Sequence, residues 1–169
     1  MKGLSWLTVV SVVSAIAAGA CLFLLAGITG LLFTIWPTSW PDHELNVTAK
    51  TISALDGLER QPKFSPDTRS GYVQNNEALR VALEEVVNAS IQKIKAEVRS
   101  RPRKSFVLAH IKSNLARLDR LDTEEKDRIL GYYAQTLDIL GIESSNYLFE
   151  VWRYGFPYGS ALKASPHSP

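Results

Sequence analysis

The sequence predicts an all-α protein: one N-terminal transmembrane helix, then a small antiparallel bundle of about five helices. Three observations lead there. Gly3 to Pro41 carries no charged side chain, and apart from Lys2 every Lys, Arg, Asp and Glu of the 169-residue chain lies at Asp42 or beyond. Past Asp42, apolar residues recur with the 3.6-residue period of a helix in several separate stretches. No alternating apolar–polar run of strand length occurs, and no internal repeat. The chain is 46% hydrophobic and 21% charged, with net charge +2. Those averages hide a division into an apolar first segment and a polar second one.

The first element is the apolar run. Between Leu7 and Ile35 stand fifteen Leu, Ile, Val or Phe, each favouring insertion by roughly 0.3–0.6 kcal/mol near mid-bilayer. A spanning helix needs about 20 apolar residues. Trp6 stands at one end, Trp36 and Trp40 at the other. As a helix, Trp6 to Trp36 measures about 45 Å, matching a bilayer with its interfaces. Pro37 and Pro41 then stop the helix. Residues 1–41 are therefore expected to be a membrane anchor, with the lipid bilayer as the partner of residues 7–35. Ser11, Ala15 and Gly19, and again Ala26 and Gly30, have the four-residue spacing of small residues that lets helices approach; such residues are also common in spanning helices generally.

A second reading competes. Ala18-Gly19-Ala20-Cys21 looks like a cleavage site, with Lys2 as basic start and Leu4–Ile16 as apolar core. A lipoprotein would then begin at Cys21. The segment after that cysteine, LFLLAGITGLLFTIW, argues against it, because a mature lipoprotein continues into a polar tether. Ala18 also stands where a larger aliphatic is expected. Lys2 on one flank, against Asp42, His43 and Glu44 on the other, keeps the short N-terminus in the cytoplasm and exports the rest.

The polar part is long enough to bury roughly two thirds of its unfolded surface. Val47, Ile52, Leu55 and Leu58, before Pro62, mark a short helix, so residues 42–63 read as a juxtamembrane helix and linker. Arg60 to Tyr72, RQPKFSPDTRSGY, is rich in turn formers and reads as a loop. Leu79, Leu83, Val86, Val87, Ile91, Ile94 and Val98 keep the helical period over five turns, and Pro102 ends the stretch. Val107, Leu108, Ile111, Leu115 and Leu118 make the next stripe. Asp122 and Glu125 form a capping box that opens a helix through Ile129, Leu130, Tyr133, Leu137 and Leu140. Gly141 closes it. Leu148, Val151 and Trp152 mark a last short helix, ended by Gly155 and Pro157. Residues 64–157 thus read as a helical domain and 158–169 as a frayed tail.

One stretch, LDRLDTEEKDRILGYYAQTLDILGIESSNYLFEVWRYGF from Leu118 to Phe156, resembles the bacterial "domain of unknown function 4844" family. The likeness lies in the Asp-Thr-Glu helix start, the Tyr132-Tyr133 pair, DILGIESS and the closing W-x-YG. It extends back to about Phe64 and leaves out the apolar segment. It implies a compact helical domain of bacterial origin and brings no activity or catalytic residue with it. Joined to the anchor, it places the chain in a bacterial inner membrane, single-pass, with the C-terminal domain periplasmic.

Motifs for chemistry are sparse. Cys21 is the only cysteine, which excludes an internal disulfide, a CxxC pair and a cysteine zinc site. His43, His110 and His167 have no ligand spacing, and His110 beside its apolar stripe reads as a partly buried structural residue. GxSxG, GxGxxG and GxxxxGK[ST] are all missing. Glu84 and Glu85 are helix neighbours that point apart. Asp122, Glu124, Glu125 and Asp127 suit a helix start. No catalytic residue, cofactor or metal is expected, and the near-neutral polar part gives no pull toward nucleic acid.

Two surfaces stand out. RSRPRK offers Arg99, Arg101, Arg103 and Lys104 to a phosphate or an acidic partner; cations after a helix C-terminus are also favourable in themselves. GIESSNY offers Glu143, Asn146 and Tyr147 to a protein partner, while Gly141 permits a positive φ and Ser144 or Ser145 can cap the next helix. Tyr132, Tyr133, Trp152 and Tyr154 read as core. The expected function is a non-enzymatic, membrane-anchored binding module, with immunity against a periplasmic toxin as its concrete form. The alternative is an accessory structural subunit of an inner-membrane complex.

Overall fold

A computed structural model describes residues 6–35, 42–66, 72, 76–118 and 121–155, with side chains described for 14–28 of the first stretch. These residues form α1 (Trp6–Ile35), α2 (Ala49–Arg60), α3 (Glu77–Glu97), α4 (Lys104–Leu115), α5 (Thr123–Ile139) and α6 (Leu148–Tyr154). The chain divides into two compact units, Met1–Trp36 and Pro37–Pro169.

The first unit is α1. Its described side chains are all exposed, Cys21 among them. The expected transmembrane helix is corrected here: among the described residues, no helix is long and apolar enough to cross a membrane. Trp36, Trp40, Pro37 and Pro41, expected to mark the interface and the stop, lie outside the described residues, as does the tail at 158–169.

The second unit is an all-α helical bundle. Thr48 starts α2 with a reciprocal cap: its hydroxyl accepts from the Thr51 N–H at 3.2 Å, and its own N–H donates to the Thr51 hydroxyl at 3.2 Å. Leu55 and Leu58 on this helix are buried, and α2 packs on both α3 and α5. Residues 42–63 are therefore part of the bundle and not a linker ahead of it. Asn76 caps α3 through the Leu79 N–H at 3.1 Å. The predicted stripe of α3 turns inward at Leu83, Val87, Ile91 and Ile94. Across the bundle, Lys95 on α3 donates to Asp56 at 2.7 Å and also reaches Glu59.

Asp122 caps α5, accepting from the N–H groups of Glu124 and Glu125, each at 3.1 Å. The other end closes as the glycine predicts. Gly141 sits at φ 69, its N–H reaches the Asp138 carbonyl at 3.1 Å, and the Ile142 N–H reaches Leu137 at 2.8 Å. This is the paired closure of a Schellman motif. The serines behave otherwise than expected. Residue Tyr147 precedes α6 without a side-chain cap, and Ser144 instead accepts from the Asn146 N–H at 3.1 Å. Trp152 on α6 donates its indole N–H to the Leu115 carbonyl at 2.8 Å, closing the end of α4. Tyr132 and Tyr133 are core, but Tyr154 is 49% exposed, its ring under the Arg153 guanidinium.

Candidate functional site

The start of α4 is where distant parts of the second unit meet. Arg103 is its N-cap residue and makes no side-chain cap. A helix start leaves N–H groups without partners, and Asp42, far back in the chain, supplies the missing acceptor. One of its oxygens takes the Ser105 N–H at 2.8 Å and the other the Arg103 Nε–H at 2.8 Å. Burial pushes the Asp42 carboxyl up, but those two donors outweigh it and hold its pKa below the usual 3.8. Around this cap, residues 43–45 pair antiparallel with 102–104. The Leu45 N–H donates to Pro102 at 2.7 Å and the Lys104 N–H to His43 at 3.0 Å.

Lys104, first residue of α4, is 5% exposed. A buried ammonium needs a partner, and Lys104 donates to Asn146 Oδ1 at 3.0 Å, joining two segments 42 residues apart. So the basic cluster and the GIESSNY loop, separate in sequence, share one corner. Asn146 (φ 52) and Tyr147 (φ 65) both take left-handed backbone. Asn tolerates that conformation, whereas an aromatic residue there is a real outlier. Tyr147 is nonetheless 47% exposed, while Leu148, the next residue, is buried. Glu143 is exposed on the same loop.

The other cations of the cluster are mostly engaged within the fold. Arg101 pairs with Glu97 and lies 4.6 Å from the Phe106 ring centre. Arg103 pairs with Asp42 at 2.7 Å. Arg99 is exposed. A groove of about 650 Å³ between Arg101, Arg103, Ser105 and Phe106 also contains Glu44, so its net charge is small.

The acids and histidines singled out in the sequence are spread over the unit. The described residues contain no group of three or more His, Cys, Asp or Glu placed to hold a metal. Glu84 is taken up by Arg80 at 2.7 Å and Glu85 is exposed. Asp127 pairs with Arg153. His43 is exposed, and His167 lies outside the described residues. His110 is half-buried, its Nε2 lying 3.0 Å from Asn114 Nδ2, which also donates to Ser90 Oγ at 3.0 Å. Burial of the ring, aided by the Lys93 charge and opposed by the Ser90 backbone, depresses its pKa below 6.5. The Asn114 amide thus ties the His110 ring on α4 to Ser90 on α3. Nearby Tyr133 is fully buried, which pushes its hydroxyl up to about 12 against the opposing influence of Ser90.

Sequence reasoning passed over one notable pair. Lys63 and Phe64, inside the predicted loop, are both fully buried. The Lys63 amine donates to the carbonyls of Leu58 (2.7 Å), Gln61 (3.0 Å) and Glu59 (3.1 Å), closing the end of α2. Phe64 takes φ 55, and its N–H donates to the Tyr132 hydroxyl at 2.9 Å. A lysine three residues past a helix C-terminus was the available signal.

The fold and this corner define a small all-α bundle with a constrained, exposed loop. The chain belongs to the family Domain of unknown function (DUF4844), whose model matches residues 46–157. The match reaches further back than the likeness at Phe64 and takes in α2. A crystal structure at 1.95 Å of a DUF3571 family protein from Acinetobacter baumannii AYE is similar, at 28% identity and a TM-score of 0.58. The similarity covers 66% of this chain and 94% of that one. No functionally curated protein matches the sequence.

Proposed function

We propose that this chain is a non-enzymatic protein-binding module whose contact surface is the corner of Glu143, Asn146 and Tyr147 over Lys104. One observation carries the reading: Tyr147 is held in left-handed backbone and is 47% exposed. Such backbone costs on the order of 1–3 kcal/mol per residue and gathers at ligand clamps and switches. Amphipathic aromatic rings are also enriched among residues that dominate protein interfaces. A photo-reactive residue in place of Tyr147 should crosslink one protein in cells, and Tyr147→Ala, with unchanged thermal unfolding, should lose most of its affinity for that protein. Equal affinity of the two forms would remove Tyr147 from the surface.

The specific form we propose is neutralisation of a toxin protein, by analogy with other small helical modules that act by capture. Expression of the chain should then protect cells against a toxin encoded beside it, and Tyr147→Ala should protect less. Protection by neither form counts against the toxin reading while leaving the binding surface to the crosslinking result.

A further inference from the structure

Residues 42–46 lie beside 102–104 as a short extended edge. Glu44 is paired with Arg103, and the two bonds that make the pair come from the flanking residues, Leu45 to Pro102 and Lys104 to His43. In this type of antiparallel pair the central residues direct their own backbone groups away from each other. The N–H and C=O of Glu44 therefore point to the outer side, where they have no backbone partner among the described residues.

A groove of about 300 Å³ runs beside Glu44. Glu44, Leu45 and Asn46 form one wall, and Asp138, Leu140 and Gly141 form the other. A methyl group built on Gly141 would meet nothing within 4 Å, so a chain can come close to the backbone there. Among the described residues, the lining of this groove holds two carboxylates, Glu44 and Asp138, with His43 and no lysine or arginine, while Arg103 stands opposite Glu44 on the other side of the pair. A helix C-terminus is the negative end of its dipole and favours a nearby cation. α5 ends here with no basic residue in its last turn and carries Asp138, an exposed carboxylate, instead. Glu44 and Glu143 are exposed as well.

We propose that the outer edge at Glu44 accepts a β-strand from a partner protein, with lysine or arginine at alternate positions of that strand facing Glu44 and Asp138. Backbone bonding to Glu44 supplies the attachment, and side chains at alternate positions supply the selectivity, as in other strand-addition interfaces. Alternation arises because residues two apart share one face of a strand. The inference rests on the reading of the chain as a protein-binding module and locates a second contact on it.

The test titrates the full chain into a fluorescein-labelled Lys-Val-Lys-Val-Lys-Val peptide at low salt, reading anisotropy. Saturable binding is expected, at least about tenfold tighter than for the Glu-Val counterpart. Asp138→Lys and Glu44→Lys should each weaken it about tenfold or more. Asp138→Lys places a cation where the α5 dipole favours one, so its thermal unfolding should not fall and weakened binding is not loss of fold. A peptide N-methylated at alternate residues keeps its charges and should also bind at least about tenfold more weakly. Equal binding of the Glu-Val peptide, of the N-methylated peptide or of the Asp138→Lys variant overturns the proposal. Capture at position 147 with no peptide binding would sink this inference alone, and peptide binding with no capture at 147 would sink the Tyr147 surface alone.

Discussion

Two corners of the bundle use the same parts for different ends. At one, the buried amine of Lys63 holds three backbone carbonyls, and the next residue, Phe64, takes φ 55 with its ring fully buried. At the other, the buried amine of Lys104 holds Asn146, and the residue after that asparagine, Tyr147, takes φ 65 and is about half exposed. The backbone strain is of one kind in both, but the compensation differs. Phe64 recovers the cost by removing a whole ring from water, and its N–H is bonded to Tyr132. Tyr147 recovers much less. An aromatic ring in strained backbone explains itself when it fills a core, and asks for another explanation when it does not.

Glycine substitutions break this comparison most directly, because glycine relieves left-handed strain and deletes the ring at once. Phe64→Gly should destabilise the chain by about 3 kcal/mol in urea titrations: losing a buried Phe costs about 3–5 kcal/mol, and strain relief returns about 1. Next in size, Lys63→Met should cost about 2 kcal/mol by the same measurement, because the stem is replaced while three carbonyls lose their donor. Tyr132→Phe, which leaves the Phe64 N–H without its acceptor, should cost about 1–2 kcal/mol. Tyr147→Gly should have the opposite sign, raising stability by under about 1 kcal/mol while abolishing capture at the corner. Destabilisation of the Tyr147 variant to the level of Phe64→Gly would show the two corners to be alike.

The smallest expected effect concerns the joint between α3 and α4. The folded state holds the His110 pKa below 6.5, so between those two values the unfolded chain binds the extra proton. Stability therefore falls as pH drops from about 6.5 toward the depressed folded value, and this contribution is flat above about 6.5. His110→Asn should flatten that slope in thermal unfolding measured from pH 7 to 5. An unchanged slope would assign it to other groups.

Which parts of this were legible beforehand depends on how far apart the interacting residues lie. The Asp122 cap and the Gly141 closure join residues only a few positions apart, so local spacing reveals them. The inward faces of α3 and α5 come from the helical period. The Asp42 cap of α4 and the Lys104–Asn146 bond could not be read that way, because each joins residues brought together only by packing. Lys63 and Phe64 were hidden by composition: RQPKFSPDTRSGY has the residues of a surface loop, yet its lysine is drawn inside by the orphan carbonyls at the end of α2. The apolar N-terminal run taught a different lesson. Its hydropathy implied a span, but among the described residues no helix is both long and apolar enough for one.

By itself, then, the sequence determined the helices and most of their ends, because period, capping residue and terminal glycine act within one or two turns. Only the tertiary structure decided what those ends touch. It put Asp42 on α4, folded Lys63 under α2, and set the Lys104 amine against Asn146, so that two surfaces far apart in the chain became one corner. The physical reason is that burying an ammonium or an unpaired N–H is costly unless a partner meets it. Which partner can do so depends on the packing of helices and not on their order.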